Sequence, residues 1–430
     1  MEGRVTPGAE NRSRPARPGA GARLHSALAG LHSALTPSVW TAGILIVVVG
    51  FSGSLVLVFP LADNAKLTGA ELSSWVWAIC VGSGVLTLGL SLLYKQPVIT
   101  AWSTPGLALL VSHLADYRLS DAVGAFVFSG LAVALLGWTG LFGRAMRLVP
   151  QPVAMAVLGG VLLKFGLGLF TAINASPPVV LAMVGAFLLF RALNLKLTMA
   201  LALLVGLVSA LALGQVNFGG VHPELAHPVF ILPTFSLQAI IGLGLPLLML
   251  ALASQNAPGF AVMQSFGYSV PARGSLVATG LVSALSAPAL SHGLTLAAIT
   301  AALGNSPEAH PDPAKRYAAG VVAGSLKILL GLFGAAMVAF FAALPKALIA
   351  AMAGLALSGM IQNCLVGAFS NPKYREAALF TLLLTASEVQ FSGWGVPFGA
   401  WWPGCCWASS RIGGRHKRGL GGKSWLESSP

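Results

Sequence analysis

Charged residues are scarce in this chain. Asp, Glu, Lys and Arg together make up 9% of its 430 residues, whereas about 25% is usual in soluble globular domains. So few charges do not cover the surface of a water-soluble domain of this size, because 56% of the residues are hydrophobic. The four cysteines suit neither a disulfide framework nor a zinc site in their spacing. The composition therefore indicates a polytopic membrane protein.

Acidic residues are the rarer of the two charged types, which leaves a formal net charge of +13. Much of the positive charge lies at the two chain ends and in short loops, and no basic helix is interleaved with aromatic residues. A nucleic-acid partner is not expected, since such binding requires a basic stripe on a folded domain. The first 36 residues are rich in Arg, Pro, Gly and Ala, which predicts a disordered basic tail.

Apolar runs separated by short polar breaks begin at Val39. Because a membrane-spanning helix needs about 20 apolar residues, the pattern predicts roughly fourteen spans. They are expected near residues 40–61, 74–94, 98–113, 122–143, 152–171, 178–192, 197–213, 237–258, 272–288, 290–304, 317–339, 344–361 and 375–391, with a weak last span near 394–409.

Lysine and arginine are unevenly distributed between alternate loops. With a cytoplasmic N-terminus, the inside loops hold Lys95, Arg144, Arg147, Arg191, Lys196, Arg273, Lys315, Arg316, Lys373 and Arg375. The outside loops hold only Lys66, Arg118 and Lys346. Positive loops favour the cytoplasmic side. Both termini are therefore predicted to be cytoplasmic, and the loop around Glu224 external.

Two of the predicted spans are short and contain helix-breaking residues. The third reads QPVITAWSTPGLALL (Gln96–Leu110) and the tenth reads APALSHGLTLAAIT (Ala287–Thr300). Seven spans separate them, and this odd offset turns one copy upside down relative to the other. The pattern predicts inverted repeats whose broken helices meet near the membrane midplane. The alternative is that Pro and Gly only kink two packed helices.

Each break contains residues suited to capping a helix. In the third span, Ser103 or Thr104 is expected to cap a helix whose first residue is Pro105. In the tenth, Ser291 is expected to cap a helix that starts at His292. Free N–H groups and the helix dipole attract anions. Two such helix N-termini facing one cavity predict an anion site.

Three stretches resemble a known family. QPVITAWSTPGLALL, LASQNAPGFAVMQSFGY (Leu252–Tyr268), and LAAITAAL followed by PEAHPDPAKRY (Pro307–Tyr317) are similar to the benzoate membrane transport protein (BenE) family of benzoate–proton symporters. That family is similar in fold to UraA-type nucleobase transporters and sulfate-type anion transporters. The resemblance covers about Thr36 to Phe398. It implies an all-α polytopic fold of 7+7 inverted repeats, with spans one to four and eight to eleven forming a core and the others a gate.

The resemblance also implies a division of the chain into two core halves and two gate halves. The expected boundaries are 1–36 for a disordered basic tail, 37–148 for the first-repeat core half, 149–215 for the first-repeat gate half, 216–236 for an external loop, 237–339 for the second-repeat core half, 340–410 for the second-repeat gate half and 411–430 for a basic, disordered tail.

A substrate site between the third, eighth and tenth spans is a further implication of the resemblance. His292 is the expected proton-coupling residue, because the ordinary histidine pKa of about 6.5 allows titration near physiological pH. Gln255 matches the position of a substrate-binding acid in the nucleobase transporters. The expected substrate-binding residues are Trp102, Ser103, Thr104, Gln255, Asn256, Ser291, His292 and Thr295.

These residues also have structural interpretations. His292 is alternatively a neutral packing histidine, and the amides of Gln255 and Asn256 are alternatively interhelical hydrogen-bond donors. Trp102 is alternatively part of an apolar core. Lys327 falls inside the eleventh span, where it either pairs with a carboxylate or extends its ammonium toward the membrane surface.

The chain departs from the family pattern at two places. Where the family's tenth span reads Phe-Gly-Gly-His with a downstream Asn, this chain reads ALSH at residues 289–292 and has Thr295 at the Asn position. After Phe398 the sequence is rich in Trp, Cys, Gly and Arg without a period. The hypothesis for this end is a shifted reading frame, and the alternative is a native last span through WWPGCCWASS.

The resemblance implies proton-coupled import of benzoate or a related aromatic carboxylate by alternating access across a bacterial inner membrane. The alternatives are a transporter of another small anion or of a nucleobase, and an inactive product with an aberrant C-terminus. A membrane enzyme is not favoured, because the predicted spans lack paired carboxylates and a Ser/His/Asp set. The expected partners are the aromatic acid, a proton, the lipid bilayer and a second copy in a homodimer. No cofactor, metal or nucleic acid is expected.

Overall fold

The structure, a computed structural model, describes residues 31–142, 151–195, 198–216, 218–219, 222, 224–269, 272–297 and 299–387. Within these ranges the chain is mostly helical, with one two-stranded sheet. The elements are α1 (Pro37–Ser54), α2 (Val58–Ala65), α3 (Gly69–Tyr94), β1 (Thr100–Trp102), α4 (Thr104–His113), α5 (Leu119–Thr139), α6 (Gln151–Thr171), α7 (Pro177–Ala192), α8 (Thr198–Ala212), α9 (Leu237–Ser265), α10 (Ala272–Ser286), β2 (Leu294–Leu296), α11 (Ile299–Asn305), α12 (Tyr317–Leu332), α13 (Gly334–Ala342), α14 (Lys346–Phe369) and α15 (Arg375–Ser387).

Several of these helices are long and apolar enough to cross a membrane. In the described part of the chain, six continuous helices meet that description: Pro37–Ala65, Gly69–Tyr94, Leu119–Thr139, Met155–Asn174, Leu237–Ser265 and Lys346–Phe369. α12 and α13 together make a seventh, but they are bent by 70° within the predicted span 317–339. The chain is therefore a multi-pass membrane protein. The count of fourteen spans stays a prediction, and its last member, 394–409, lies outside the described residues.

α3 begins with a capping box that its sequence encodes. Glu71 N donates a hydrogen bond to Thr68 Oγ1 at 3.3 Å, and Thr68 N donates one to Glu71 Oε2 at 2.7 Å. The two bonds satisfy N–H groups that a helix start leaves without partners. At the other end, Lys95 adopts a left-handed conformation with φ 52°. α3 therefore ends just before the extended segment that leads into β1.

Two helix pairs pack closely through glycine. A Cβ on Gly84 of α3 would lie 2.8 Å from the carbonyl oxygen of Gly324 of α12. Likewise, a Cβ on Gly130 of α5 would lie 2.9 Å from the carbonyl oxygen of Gly280 of α10. Small residues allow helix backbones to approach this closely in membranes. Each pair joins a helix from the first half of the chain to one from the second half, so the two halves are interleaved.

α9 contains two widened turns. Ile240–Gly244 and Ala251–Asn256 are π-helical. Each is followed within two residues by a proline, Pro246 or Pro258, whose missing N–H leaves a carbonyl one turn earlier without its usual partner. Single π turns inside α-helices often mark functional sites. The second widened turn ends at Asn256, one of the predicted site residues.

Candidate functional site

The breaks in the third and tenth predicted spans lie side by side as a short antiparallel ladder. β1 pairs with β2, and the bonding continues past the strands, where Ser103 N donates to Gly293 O at 3.1 Å. At the opposite end, Ala297 N donates to Ile99 O at 2.9 Å. The register pairs Thr100 with Leu296, Ala101 with Thr295, and Trp102 with Leu294.

Two side chains satisfy the outer edge of β1. Thr100 N donates to Thr87 Oγ1 of α3 at 3.1 Å. Lys327 Nζ of α12 donates to the Thr100 carbonyl oxygen at 2.6 Å. Lipid offers no hydrogen bonds to extended backbone at membrane depth, so these groups need partners from the protein. Helices α3 and α12 supply them.

The outer edge of β2 is satisfied in the same way by two other helices. Leu294 N donates to Ser283 Oγ of α10 at 2.8 Å, and Leu296 N donates to Asn256 Oδ1 of α9 at 3.0 Å. The predicted site residue Asn256 therefore holds the backbone of the tenth-span break. Thr87 and Ser283 occupy corresponding places beside the two strands, and no local sequence signal identifies either one.

Ser103, rather than Thr104, caps the helix of the third span. Its hydroxyl oxygen accepts a hydrogen bond from Gly106 N at 3.1 Å. The helix begins at Thr104, with Pro105 as its second residue. Of the two caps that the sequence allowed, the structure selects Ser103, and the prediction that Pro105 is the first helical residue is wrong by one position.

The prediction for the tenth span is wrong in its local structure. No helix starts at His292, and Ser291 caps none; instead β2 follows, and α11 begins at Ile299. Gly293 has φ 133°, a conformation outside the helical region that favours glycine. Pairing with β1 gives the extended backbone the hydrogen bonds that a helix would otherwise supply.

His292 precedes β2 at the end of the ladder and contacts α3 and the residue that caps α4. It is buried, with 1% of its surface exposed. Trp75 Nε1 of α3 lies 3.1 Å from His292 Nδ1, and His292 Nε2 lies 3.1 Å from the Ser103 carbonyl oxygen. An indole N–H only donates and a carbonyl only accepts. In this conformation the imidazole is therefore neutral, with its proton on Nε2.

Trp75 is another site residue that the sequence does not indicate. It lies in the second turn of a long apolar helix, where a tryptophan is normally interpreted as core. Its indole packs edge-on against Phe126, with 5.8 Å between ring centroids, while its N–H is directed at His292. A buried Trp N–H usually finds a partner, but the sequence does not indicate that this partner lies 217 positions away.

Three predicted site residues carry buried polar atoms without a hydrogen-bond partner in the described part of the chain. They are the indole Nε1 of Trp102, the amide Nδ2 of Asn256 and the hydroxyl of Ser291. All three atoms are hydrogen-bond donors. An unsatisfied buried donor costs about 1–3 kcal/mol. Donors left open beside the ladder suit a ligand with acceptor atoms.

The remaining predicted residues lie on or beside the same elements. Thr295 is in β2, and its hydroxyl is at the long distance of 3.5 Å from the Ala101 carbonyl oxygen. Gln255 is buried next to Asn256 in the widened turn of α9. The Trp102 ring meets Phe51 of α1 edge-on, with 5.3 Å between centroids. Aromatic side chains thus adjoin the polar atoms of the ladder.

Carboxylates are absent from the ladder's surroundings in the residues that the structure describes. Each Asp and Glu of that part lies in a loop or in the first or last turn of a helix. The ionisable groups that contact the ladder backbone are His292 and Lys327. The described residues also contain no group of three or more His, Cys, Asp or Glu side chains placed to hold a metal ion.

Comparison with known proteins gives consistent relationships. The sequence profile of the BenE family, described as benzoate membrane transport protein, matches residues 33–404. Inner membrane protein YdcO of Escherichia coli (strain K12) is 39% identical over 364 residues, covering 85% of this chain and 93% of that protein. The benzoate membrane transport protein of Acinetobacter baylyi is 37% identical over 367 residues, covering 84% of this chain and 93% of that protein.

The fold is similar to that of a solved anion transporter. The transmembrane domain of the cyanobacterial bicarbonate transporter BicA superposes with a TM-score of 0.52 at 14% identity, covering 87% of this chain and 97% of that domain. At this identity the likeness concerns the fold alone. A mostly helical membrane transporter fold, a family match over most of the chain and two relatives above 30% identity agree. The chain belongs to the benzoate membrane transport protein (BenE) family and is a membrane transport protein rather than an enzyme.

Proposed function

We propose that this protein is a secondary active transporter that imports benzoate, or a related aromatic carboxylate, together with a proton. One observation carries the proposal. Beside the β1–β2 ladder, buried donors of Trp102, Asn256 and Ser291 lack partners, and no carboxylate competes for them among the described residues. A carboxylate substrate supplies the acceptor oxygens that these donors need.

The aromatic part of the substrate has suitable neighbours at the same place. Trp102 and Phe51 meet edge-on at one end of β1, and Trp75 lies against His292 with 5.8 Å between ring centroids. Aromatic rings prefer offset or edge-to-face contacts with one another. An aromatic carboxylate therefore fits this composition better than a small inorganic anion, which would leave the rings without a role.

Coupling to a proton is proposed at His292. In the described conformation its Nδ1 accepts the Trp75 N–H, so a proton at Nδ1 requires that bond to break. A substrate carboxylate that accepts the Trp75 N–H would free Nδ1 and would also favour the charged imidazole. Anion and proton would then bind cooperatively, and the coupling acts equally in both directions. That reciprocity is what symport requires.

The proposed architecture is fourteen spans in 7+7 inverted repeats, working by alternating access between a core and a gate with the boundaries given above. The helix pairs support it. The first pair, α3 with α12, corresponds to the second and eleventh predicted spans. The second pair, α5 with α10, corresponds to the fourth and ninth. The second and ninth spans are equivalent positions in the two repeats, and so are the fourth and eleventh, so the two contacts are related by the repeat. An inner-membrane location, cytoplasmic termini and a homodimer complete the proposal.

Two alternatives concern substrate and activity. Nucleobase carriers of similar fold use acids in the eighth and tenth spans, whereas this chain has Gln255 and His292 there, which favours an anion. An inactive product is the second alternative, because the sequence after Phe398 departs from the family pattern. The family match nevertheless extends to residue 404.

Uptake of radiolabelled benzoate by cells that express the full chain tests the proposal. We expect accumulation that an uncoupler of the proton gradient abolishes, that unlabelled benzoate competes away, and that uracil and bicarbonate leave unchanged. Cells with the empty vector provide the background. Accumulation of uracil or bicarbonate in place of benzoate would establish an alternative substrate. No uptake of any of the three, with the protein present in the membrane, would indicate an inactive product.

A further inference from the structure

Among the residues that the structure describes, Lys327 is a buried cation without a counter-charge. Its side chain is 2% exposed, and its ammonium donates to the Thr100 carbonyl oxygen at 2.6 Å. The same carbonyl also accepts a hydrogen bond from Thr87 Oγ1 at 3.2 Å. Lys327 therefore contacts β1 directly but meets a carbonyl dipole there rather than a negative charge.

In the described part of the chain, the elements around Lys327 place no carboxylate beside its ammonium. α12 packs against α1, α3 and α11. In the described residues of these elements the one acidic residue is Glu71, in the first turn of α3 at its far end. The neighbouring ionisable group is the thiol of Cys80, buried in α3. An unpaired charge in a protein interior is costly, and intramembrane ionisable groups are usually functional.

We propose that Lys327 supplies the positive charge that selects an anionic substrate at the β1–β2 ladder. This inference rests on the proposed function. It adds a charged residue that contacts β1 to the anion-attracting N-terminus of α4. The Lys327 ammonium lies at Thr100, and an anion at the start of α4 would lie near Ser103. Between these two residues the chain advances about 10 Å, at about 3.3 Å per residue. At that separation and an effective dielectric of about 20, the attraction between ammonium and anion strengthens anion binding on the order of tenfold.

Lys327→Gln tests the charge while keeping a hydrogen-bond donor. The full chain is purified in detergent, and equilibrium binding of radiolabelled benzoate is measured with competition by benzamide, which has the same ring without the charge. We expect benzoate to bind on the order of tenfold more weakly to Lys327→Gln, with benzamide unaffected. Lys327→Arg keeps the charge and is expected to retain benzoate binding.

Thr87→Val is the matched control, because it removes the other side chain that bonds to Thr100 without changing any charge. If Lys327 only supports the strand, Lys327→Gln and Thr87→Val weaken benzoate and benzamide to the same extent, and the inference is wrong. Unchanged benzoate affinity in Lys327→Gln overturns it as well. Should that variant not be recovered as a monodisperse protein, Lys327→Met gives the same comparison. A wild-type protein that binds no benzoate refutes the proposed function instead.

Discussion

Removing the cap of α4 tests whether the start of this helix takes part in substrate binding or is only a kink in a packed helix. In Ser103→Ala the Gly106 N–H loses its acceptor, now 3.1 Å away, in a place where Ser103 is only 2% exposed. Loss of an N-cap costs about 1 kcal/mol, and a buried donor left unpaired costs about 1–3 kcal/mol. Since about 1.4 kcal/mol corresponds to a factor of ten, apparent benzoate affinity is expected to fall between about fivefold and about a hundredfold.

The assay is concentration-dependent benzoate uptake at matched amounts of membrane-inserted protein. Ser112→Ala is the matched control, because it removes a serine hydroxyl from the last turn of α4, away from the cap at Ser103. Its benzoate affinity is expected to change by no more than about 0.5 kcal/mol, the usual range for a substitution away from a structural contact. Wild-type affinity in Ser103→Ala, or a larger loss in Ser112→Ala, would refute the reasoning.

Three further predictions follow from the topology, the histidine and the helix packing. A cysteine introduced at Glu224 should react with an impermeant reagent in intact cells while one at Asp312 is spared, and the reverse pattern would overturn the orientation. His292→Gln should lose proton-driven accumulation but keep benzoate exchange; full accumulation with an unaltered pH profile would show that another group carries the proton. Gly84→Leu should prevent α3 from packing on α12, because its Cβ meets the α12 backbone, and little folded protein should be recovered from the membrane. Gly89→Leu on the same helix has no atom of another element within 4 Å of its Cβ and should be recovered normally. Equal recovery of the two variants would show that the glycine contact is not required.

The positions of the two breaks are predictable from the sequence because their chemistry is local. Proline, glycine and serine lie close together in each break, and all three are poorer helix formers than alanine or leucine. The segments around Trp102 and His292 were identified on that basis, and the structure places them together. The choice between Ser103 and Thr104 as cap was not predictable, since both carry a suitable hydroxyl next to Pro105.

Contacts over long sequence separations explain what the sequence did not reveal. One partner of His292 is Trp75, and one partner of Thr100 is Lys327, 227 positions away. Nothing near either residue indicates these pairings. The error at the tenth span has the same origin. The local sequence pattern predicts a helix at His292. Pairing with β1 competes with that helix, and the sequence of the tenth span alone does not indicate this pairing.

The ladder also limits how the transporter can change shape. Side chains in a strand alternate between faces, so a slip of one residue between β1 and β2 would send Trp102 and Leu294 to opposite sides. Four helices clamp the outer edges through Thr87, Lys327, Ser283 and Asn256. Sliding would break the bonds between the two strands, such as Ser103 N to Gly293 O and Ala297 N to Ile99 O. Any movement that opens the site to one side of the membrane must therefore carry both strands and their clamping helices as one rigid piece, with the sliding surface elsewhere in the molecule.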